Sequence, residues 1–333
     1  MWETITGHSR IIALLQTMLA KRRLPHALLF AGPAGVGKSL AAKALAASLL
    51  CGSVTPCSHC PSCLAFARQS HAGLFSIIPD GAAIKIDQIR AIGHEAGMGA
   101  AAGQARVCII HDAETMTLQA ANSLLKLLEE PPAQFYFILL ATSSQAMLST
   151  IVSRCLTLRF LPLPPTELTA VLIQRGIADS SAQTAARLGG GRFGQALRLL
   201  APGGMNDRNE ALVVMETVMN QQGNWFFASM AVLEKRKSRE LAELLRMLTI
   251  IFRDLAVLAA TNNDKLILNT DCIDKLQQAV SQWPADAFAG AVRKIRAAEQ
   301  ALAANANTRL TWEALLLELA DLAKGGGNSC RPL

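Results

Sequence analysis

The chain of 333 residues is long enough for two or three domains, and 51% hydrophobic with 17% charged residues is typical of a soluble globular protein. Alanine and leucine are abundant and only 5% of the residues are aromatic, which favours helices. The net charge of +7 is compatible with a nucleic-acid partner but does not establish one. No apolar run approaches the roughly 18 residues of a membrane span, and no targeting segment is visible, so we expect a cytoplasmic protein without a membrane partner.

The first predicted element is an amphipathic helix over residues 5–24, which ends before Pro25. A short apolar run at 27–31 then predicts a buried strand. The Ala- and Leu-rich segment 40–50 predicts the next helix.

Between this strand and helix lies the segment Gly32–Ser39, which fits the phosphate-binding pattern G-x-x-x-x-G-K-[ST]. Its glycines allow backbone N–H groups to surround a phosphate, and the positive end of the following helix points at the anion. Lys38 is expected to reach the β- and γ-phosphates and Ser39 to bind Mg²⁺. The sequence therefore predicts binding of ATP or ADP with Mg²⁺, whereas hydrolysis is a separate question. The predicted nucleotide contacts in this loop are Gly32, Gly35, Val36, Gly37, Lys38 and Ser39.

Four cysteines follow: Cys51 ends the predicted helix, and Cys57, Cys60 and Cys63 form a C-x-x-C-x-x-C run. Because cytosolic thiols stay reduced, such a cluster indicates a metal site rather than disulfides. Four thiolates satisfy tetrahedral Zn²⁺, and a site closed by four sulfurs is structural. Iron–sulfur ligation also uses close cysteine spacings, but a short loop after a helix favours zinc. His59 is an alternative to one of the thiolates.

Four further strands are predicted at 74–79, 106–110, 135–142 and 156–160, with helices between them. Strands that alternate with helices predict a parallel sheet with helices on both faces. Asp87 is the predicted N-cap of one helix, and another is predicted over 117–130.

Polar side chains end two of these strands. His111 and Asp112 follow the third strand, where P-loop proteins place the carboxylate that holds Mg²⁺ or its water. Thr142 ends the fourth strand. We therefore add Asp112 and Thr142 to the predicted nucleotide contacts.

The proline-rich segment 161–165 marks a domain boundary, and the pattern beyond it is helical. Short helices are predicted at 166–175, 181–188 and 193–200. A linker at 201–204 precedes a long helical region that shows no strand-like alternation.

Several motifs occur here in one order: the P-loop, the cysteine insert, the run NSLLKLLEEPP at 122–132, and Ser-Arg-Cys at 153–155. In that order they resemble the bacterial DNA polymerase III clamp-loader subunits of the AAA+ class. The resemblance is close over residues 5–200. In the helical remainder it is limited to the general arrangement of the domain. It implies an α/β P-loop domain of the AAA+, RecA-like type, a small helical lid and an all-α collar domain. The implied boundaries are 1–162 with a zinc module at 51–63, a three-helix lid at 163–203 and a collar at 204–324. The glycine-rich end at 325–333 is itself expected to be a disordered tail.

The resemblance also implies partners. Collars join five subunits into a ring that opens the sliding clamp and places it on primed DNA. We therefore expect gamma/tau and delta subunits as partners in a hetero-pentamer. Through that complex the chain is expected to act on the sliding clamp and on primer-template DNA. The expected location is the nucleoid-associated replisome. The Ser-Arg-Cys arginine, here Arg154, is an arginine finger that acts in trans on the nucleotide of the neighbouring subunit. Without the resemblance, Arg154 is an ordinary surface arginine.

The sequence differs from the ATP-hydrolysing subunits of this family at several positions, and these differences indicate which kind of subunit this chain is expected to be. His111 stands at the Asp position of the motor pattern and Asp112 at its Glu position. Histidine is a poor substitute for a hard oxygen ligand of Mg²⁺. Gly194 stands where the motor has a lid arginine that touches the γ-phosphate, with Arg192 two residues away. The chain also lacks the long extension of the longer motor form. These departures predict a delta-prime-like stator with little or no ATPase activity of its own.

Two alternatives stay open at this point. The intact P-loop is compatible with a gamma/tau-type motor subunit that hydrolyses ATP. The second alternative is a P-loop protein of DNA repair or recombination that binds DNA through a basic face. The cysteine insert and the Ser-Arg-Cys motif argue against it.

Overall fold

The computed structural model describes residues 1–97, 104–234, 238–304 and 306–323. Contacts divide the chain into two compact units. The first comprises Met1–Val171 with Gly190–Gln195, and the second comprises Leu172–Gly189 with the chain from Ala196 onward. The division into a lid and a collar at residues 163–203 and 204–324 stays a prediction, and the predicted tail at 325–333 lies outside the described residues.

The first unit is built on a sheet whose five described strands all run parallel in the order β2-β3-β4-β1-β5. The predicted α/β P-loop class is confirmed. The central strands are almost wholly buried because helices cover both faces, and such strands are continuous apolar runs. The strands are β1 (Ala27–Ala31), β2 (Leu74–Ile77), β3 (Arg106–Ile110), β4 (Phe135–Ala141) and β5 (Leu156–Arg159).

Helices form two apolar layers against this sheet. One layer packs Leu15 and Leu45 with Phe30, and the other packs Ile89 and Leu124 with strand residues of the opposite face. The helices of this part of the chain are α1 (Ser9–Ala20), α2 (Lys38–Cys51), α3 (Pro61–Ala67), α4 (Ile86–Gly97), α5 (Leu118–Glu129), α6 (Ser149–Val152) and α7 (Pro165–Gln174).

Three local predictions differ from the structure. The first helix is shorter than 5–24: it runs from Ser9 to Ala20, because Gly7 and His8 before it have positive φ and cannot continue a right-handed helix. Asp87 lies inside the first turn of α4, since that helix begins at Ile86. A short helix, α3, was not predicted; it begins inside the cysteine run, where the Cys60 sulfur accepts from the backbone N–H of Cys63.

The second unit is helical throughout its described residues, as predicted. Its core packs large side chains such as Phe252, Phe288 and Trp312, and it includes Leu188 and Leu199. None of the helices in the described ranges combines the length and apolar character that a membrane crossing requires. The remaining helices are α8 (Asp179–Leu188), α9 (Phe193–Leu200), α10 (Asn206–Asn220), α11 (Trp225–Glu234), α12 (Ser238–Thr261), α13 (Ile273–Val280), α14 (Ala285–Ala303) and α15 (Thr308–Ala323). The first three residues of α9 belong to the first unit.

Candidate nucleotide, metal and arginine sites

The phosphate loop leaves β1 at its carboxyl end and leads directly into α2. Gly37 occupies the cap position of α2, and no side chain of the described residues caps this helix end. The first N–H groups of a helix have no partner within the helix, so those around Lys38 and Ser39 are free for an anion. The strand, loop and helix therefore have the donor set that a bound phosphate requires.

Lys38 points back into the loop. Its ammonium group donates to the carbonyl oxygen of Gly32 and to that of Pro33, the latter over 3.0 Å. Burial lowers the pKa of Lys38, whereas the negative charges of Glu114 and Asp112 oppose this change. Phosphate oxygens are stronger acceptors than neutral carbonyl oxygens, so the ammonium group can exchange these two carbonyls for a phosphate.

The loop is anchored at two points outside its own residues. The N–H of Gly32 donates to the carbonyl of Ala141 at the end of β4, over 3.1 Å. The ring of His8 hydrogen-bonds the carbonyl of Val36 over 3.0 Å, and the Val36 side chain is buried. His8 was not among the predicted site residues, and no motif around it would have identified it.

The turn after β3 supplies the acidic groups. The backbone N–H of His111 donates to Ile77, and burial lowers the pKa of this histidine; Asp112 opposes the change and Lys43 adds to it. A neutral imidazole is therefore favoured at the position where a carboxylate is expected in a motor subunit. Asp112 is exposed and lies in the left-handed region with φ of 46°.

Glu114 is a site residue that the sequence reasoning missed. Its Oε1 accepts from the backbone N–H of Thr142 over 3.0 Å, and its Oε2 is buried with no hydrogen-bond partner among the described residues. Thr142 directly follows Ala141, which binds Gly32. The structure thus brings the predicted residues Lys38, Asp112 and Thr142 to one edge of the sheet, with Glu114 beside them. Their roles toward a nucleotide stay predictions.

A turn at residues 190–195 lies on the phosphate loop. The N–H of Gly194 donates to the carbonyl of Gly35 over 2.8 Å. A Cβ atom added to Gly194 would lie 3.1 Å from that oxygen, and one added to Gly35, whose φ is +85°, would lie 3.8 Å from the Cβ of Arg192. The residue at the expected lid-arginine position therefore has no side chain and contacts the loop through its backbone.

The four predicted metal ligands lie together. Their Sγ atoms all fall within 4.8 Å of one another, with 3.7 Å between Cys51 and Cys57 and 3.9 Å between Cys57 and Cys63. Four sulfurs placed tetrahedrally at the Zn–S distance of about 2.3 Å are separated by roughly 3.8 Å, so the cluster has the size of a zinc site.

The local backbone explains this arrangement. Cys51 is the last residue of α2 and Cys60 caps α3, so two helix ends position half of the cluster. Backbone N–H groups of His59 and Cys60 lower the pKa of Cys57 to about 6, which favours the thiolate that binds metals. The His59 ring contacts the Cys57 carbonyl over 2.8 Å and is not part of the cluster found among the described residues.

Arg154 lies at the opposite edge of the sheet from the phosphate loop. It precedes the amino end of β5, which pairs in parallel with β1, whereas the loop follows the carboxyl end of β1. Five strand residues at about 3.3 Å each separate the two edges by roughly 16 Å. Arg154 is therefore on the wrong side of its own sheet to serve its own phosphate loop.

Three acceptors hold the Arg154 guanidinium. Its Nη2 lies 2.6 Å from Oε1 of Glu129, and its Nη1 donates to the Thr150 carbonyl over 3.0 Å and to Oγ of Ser153 over 3.4 Å. The neighbouring Cys155 is partly buried, and this burial raises the pKa of its thiol to about 12, which disfavours the reactive thiolate.

The parallel sheet and the loop that follows β1 define an α/β protein of the P-loop class. The models of the families described as "DNA polymerase III, delta subunit" and "DNA polymerase III, delta subunit, C terminal" match residues 7–164 and 202–321. The chain is 32% identical over 319 residues to DNA polymerase III subunit delta' of Bacillus subtilis (strain 168), covering 94% of this chain and 96% of that protein. It belongs to the family of DNA polymerase III delta' subunits.

Two other similarities are more limited. DNA polymerase III subunit gamma/tau of Mycobacterium bovis is 32% identical over 206 residues, which cover 59% of this chain and only 36% of that protein. A gamma subunit-related protein of DNA polymerase III from Thermotoga maritima has a solved structure with a TM-score of 0.40 and 17% identity, over 94% of this chain and 99% of that one. The sequence match to the Bacillus subtilis delta' subunit runs through both chains, whereas the sequence match to gamma/tau is limited to 59% of this chain, so the delta' assignment is favoured over the gamma/tau alternative.

Proposed function

We propose that this chain is the stator of a clamp loader, a ring in which gamma/tau and delta subunits are its partners and which loads a sliding clamp onto primer-template DNA. Its contribution to ATP hydrolysis is made in trans, through Arg154. The observation that carries this proposal is the position of Arg154 at the amino edge of the sheet, opposite the phosphate loop. A partly exposed arginine at that edge is available to a neighbouring subunit and not to its own nucleotide.

The phosphate loop of this chain serves binding. Gly32, Gly35, Val36, Gly37, Lys38 and Ser39 are the proposed contacts for ATP or ADP, and the Ser39 hydroxyl is the proposed ligand of Mg²⁺. Bound Mg²⁺ neutralises phosphate charge. The neutral His111 and the absence of a side chain on Gly194 argue against efficient hydrolysis, so the nucleotide of this subunit has a structural role.

The cysteine cluster is proposed to hold one Zn²⁺ through Cys51, Cys57, Cys60 and Cys63. Such a site fixes the loop between α2 and α3, since closed four-sulfur sites stabilise a local fold and leave no position for substrate. Zinc therefore has no part in the hydrolytic step.

The deciding experiment measures ATP hydrolysis by the reconstituted complex in a single clamp-loading turnover. With Arg154→Ala we expect the burst to fall by about one ATP per complex, because loss of an arginine finger slows its site by about 10³-fold or more. Arg68→Ala is the matched control, since it removes the same charge from an exposed position in the first unit. An unchanged burst with Arg154→Ala, or clamp-stimulated hydrolysis by this chain alone, would refute the proposal.

A further inference from the structure

The arginine finger proposed above is already paired within its own subunit. Arg154 and Glu129 are 2.6 Å apart, and their side chains are 38% and 50% exposed. The remaining contacts of the guanidinium go to neutral oxygens of Thr150 and Ser153. Glu129 is therefore the one group in this set of contacts that competes with a phosphate for the charge of Arg154.

The backbone of Glu129 is well fixed. Glu129 is the last residue of α5, and the carbonyl of the preceding residue, Leu128, accepts a hydrogen bond of 3.0 Å from the His26 ring. His26 in turn directly precedes β1, and its own carbonyl binds the N–H of Phe137 in β4. The carboxylate thus projects from a helix end that is attached to the sheet, which makes the pairing with Arg154 a feature of the fold.

We propose that Glu129 is a positioning residue that holds Arg154 on its own subunit until a neighbour's triphosphate takes the guanidinium from it. This inference rests on the proposed function of Arg154. An exposed ion pair is weak, so the exchange costs little, whereas an arginine–phosphate contact is charge-assisted and can be bidentate. The ion pair with Glu129 balances the charge of Arg154 when no triphosphate is nearby. The ion pair breaks when the neighbouring subunit brings its triphosphate to Arg154.

The adjacent Glu130 provides a matched control. It is exposed like Glu129, but it follows the helix with φ of −122° and ψ of 69°, and no ion pair to it is found among the described residues. Replacing either glutamate by glutamine removes one negative charge from the same segment. A difference between the two variants therefore reports the pairing and not the net charge.

The first arm of the test uses the isolated full chain and does not depend on the clamp loader. Phenylglyoxal labels accessible arginines, and mass spectrometry of peptides gives the labelling rate of each. We expect Arg154 in Glu129→Gln to be labelled roughly two- to fivefold faster, as the strength of exposed ion pairs implies. Glu130→Gln should match the unsubstituted chain, and Arg68 should be labelled equally in all three as a check on folding. Equal labelling of Arg154 in the two variants would overturn the inference.

The second arm uses the reconstituted complex. The nucleotide site of the neighbouring subunit is the one that Arg154 is proposed to serve. Its turnover is defined as the part of the ATP turnover of the complex that Arg154→Ala removes. Without clamp and DNA, Glu129→Gln should raise this part roughly two- to fivefold while the stimulated kcat stays unchanged. A basal rate that is unchanged or lower would overturn the positioning role even if labelling is faster. If Arg154→Ala removes no turnover, the proposed finger itself fails, and labelling still reports whether the pair exists. Glu129→Ala is the second variant if the glutamine form does not fold.

Discussion

Gly194 donates its backbone N–H to the carbonyl of Gly35 over 2.8 Å, so the turn before α9 lies directly on the phosphate loop. The contact is between two residues without side chains, and it brings the backbones close. A side chain at position 194 requires the two backbones to move apart by a few tenths of an ångström, because its Cβ would lie 3.1 Å from the Gly35 oxygen and 3.2 Å from the Gly35 Cα. A substitution at Gly194 therefore acts directly on the backbone of the phosphate loop.

Gly194→Ala tests this contact. Alanine ordinarily stabilises a helix by about 1 kcal/mol relative to glycine, but crowding against the loop costs about 1–3 kcal/mol. We expect net destabilisation of about 1 kcal/mol in urea unfolding, together with weaker ADP binding. Gly93→Ala in α4 is the control, since its Cβ would meet Leu127 at an ordinary 3.6 Å, and it should be neutral or stabilising. If both substitutions stabilise the chain equally, the contact has no energetic importance.

The cysteine cluster predicts about one zinc ion per chain in metal-replete protein. Cys60→Ser should reduce this below about a tenth of an equivalent, since a structural site needs all four ligands, and should loosen the loop between α2 and α3. ADP binding should persist, because the cluster lies beyond the far end of α2. Metal analysis by mass spectrometry gives the zinc content. Cys272→Ser, which replaces a thiol outside the cluster, should leave it unchanged; equal zinc in both variants would contradict the assignment.

Structural elements that depend on a short stretch of residues could be predicted from the sequence. Strands β1 and β3 have the predicted bounds, because a continuous apolar run between polar segments identifies a strand buried on both faces. The cysteine spacing likewise predicted a cluster that the structure brings together. The pairings of Glu114 with Thr142 and of Arg154 with Glu129 could not be predicted, because they depend on which strand edges the parallel sheet brings together. Helix α3 was missed because its seven residues carry too few periodic positions.

Burial of His111 makes stability depend on pH. The pKa of His111 is lowered below 6.5, as is that of His71, in both cases mainly by burial. The unfolded chain therefore binds protons in a range where the folded chain does not, and the free energy of unfolding falls as the pH drops through about 6.5. We expect His111→Asn to flatten this dependence in urea titrations between about pH 7.5 and 5, leaving the parts that His71 and Cys57, whose pKa is lowered to about 6, contribute. An unchanged slope would mean that His111 is equally solvated in both states.

A buried carboxylate in the second unit gives the largest expected stability effect. Asp254 is fully buried and accepts from the backbone N–H groups of Leu268 and Asn269 and from the Asn269 side chain. Asp254→Ala leaves these buried donors without an acceptor, which should cost about 3–5 kcal/mol. Asp274→Ala, at an exposed position on α13, should change the free energy of unfolding by less than about 0.5 kcal/mol. Similar losses in both variants would show that the network does not hold the segment at 268–269.

Lys38→Ala separates the stator from a motor subunit. Its ammonium group is the only side-chain cation that the described residues place on the carbonyls of Gly32 and Pro33, so its removal should weaken binding of a fluorescent ADP analogue by about tenfold or more. Lys43→Ala, an exposed lysine one turn further along α2, should bind normally. In the reconstituted complex, Lys38→Ala should keep clamp-stimulated hydrolysis, because in the proposed function the hydrolysed nucleotides belong to other subunits and Arg154 is intact. If hydrolysis instead disappears with Lys38→Ala and survives Arg154→Ala, this chain is itself a motor, and its intact phosphate loop outweighs His111 and Gly194.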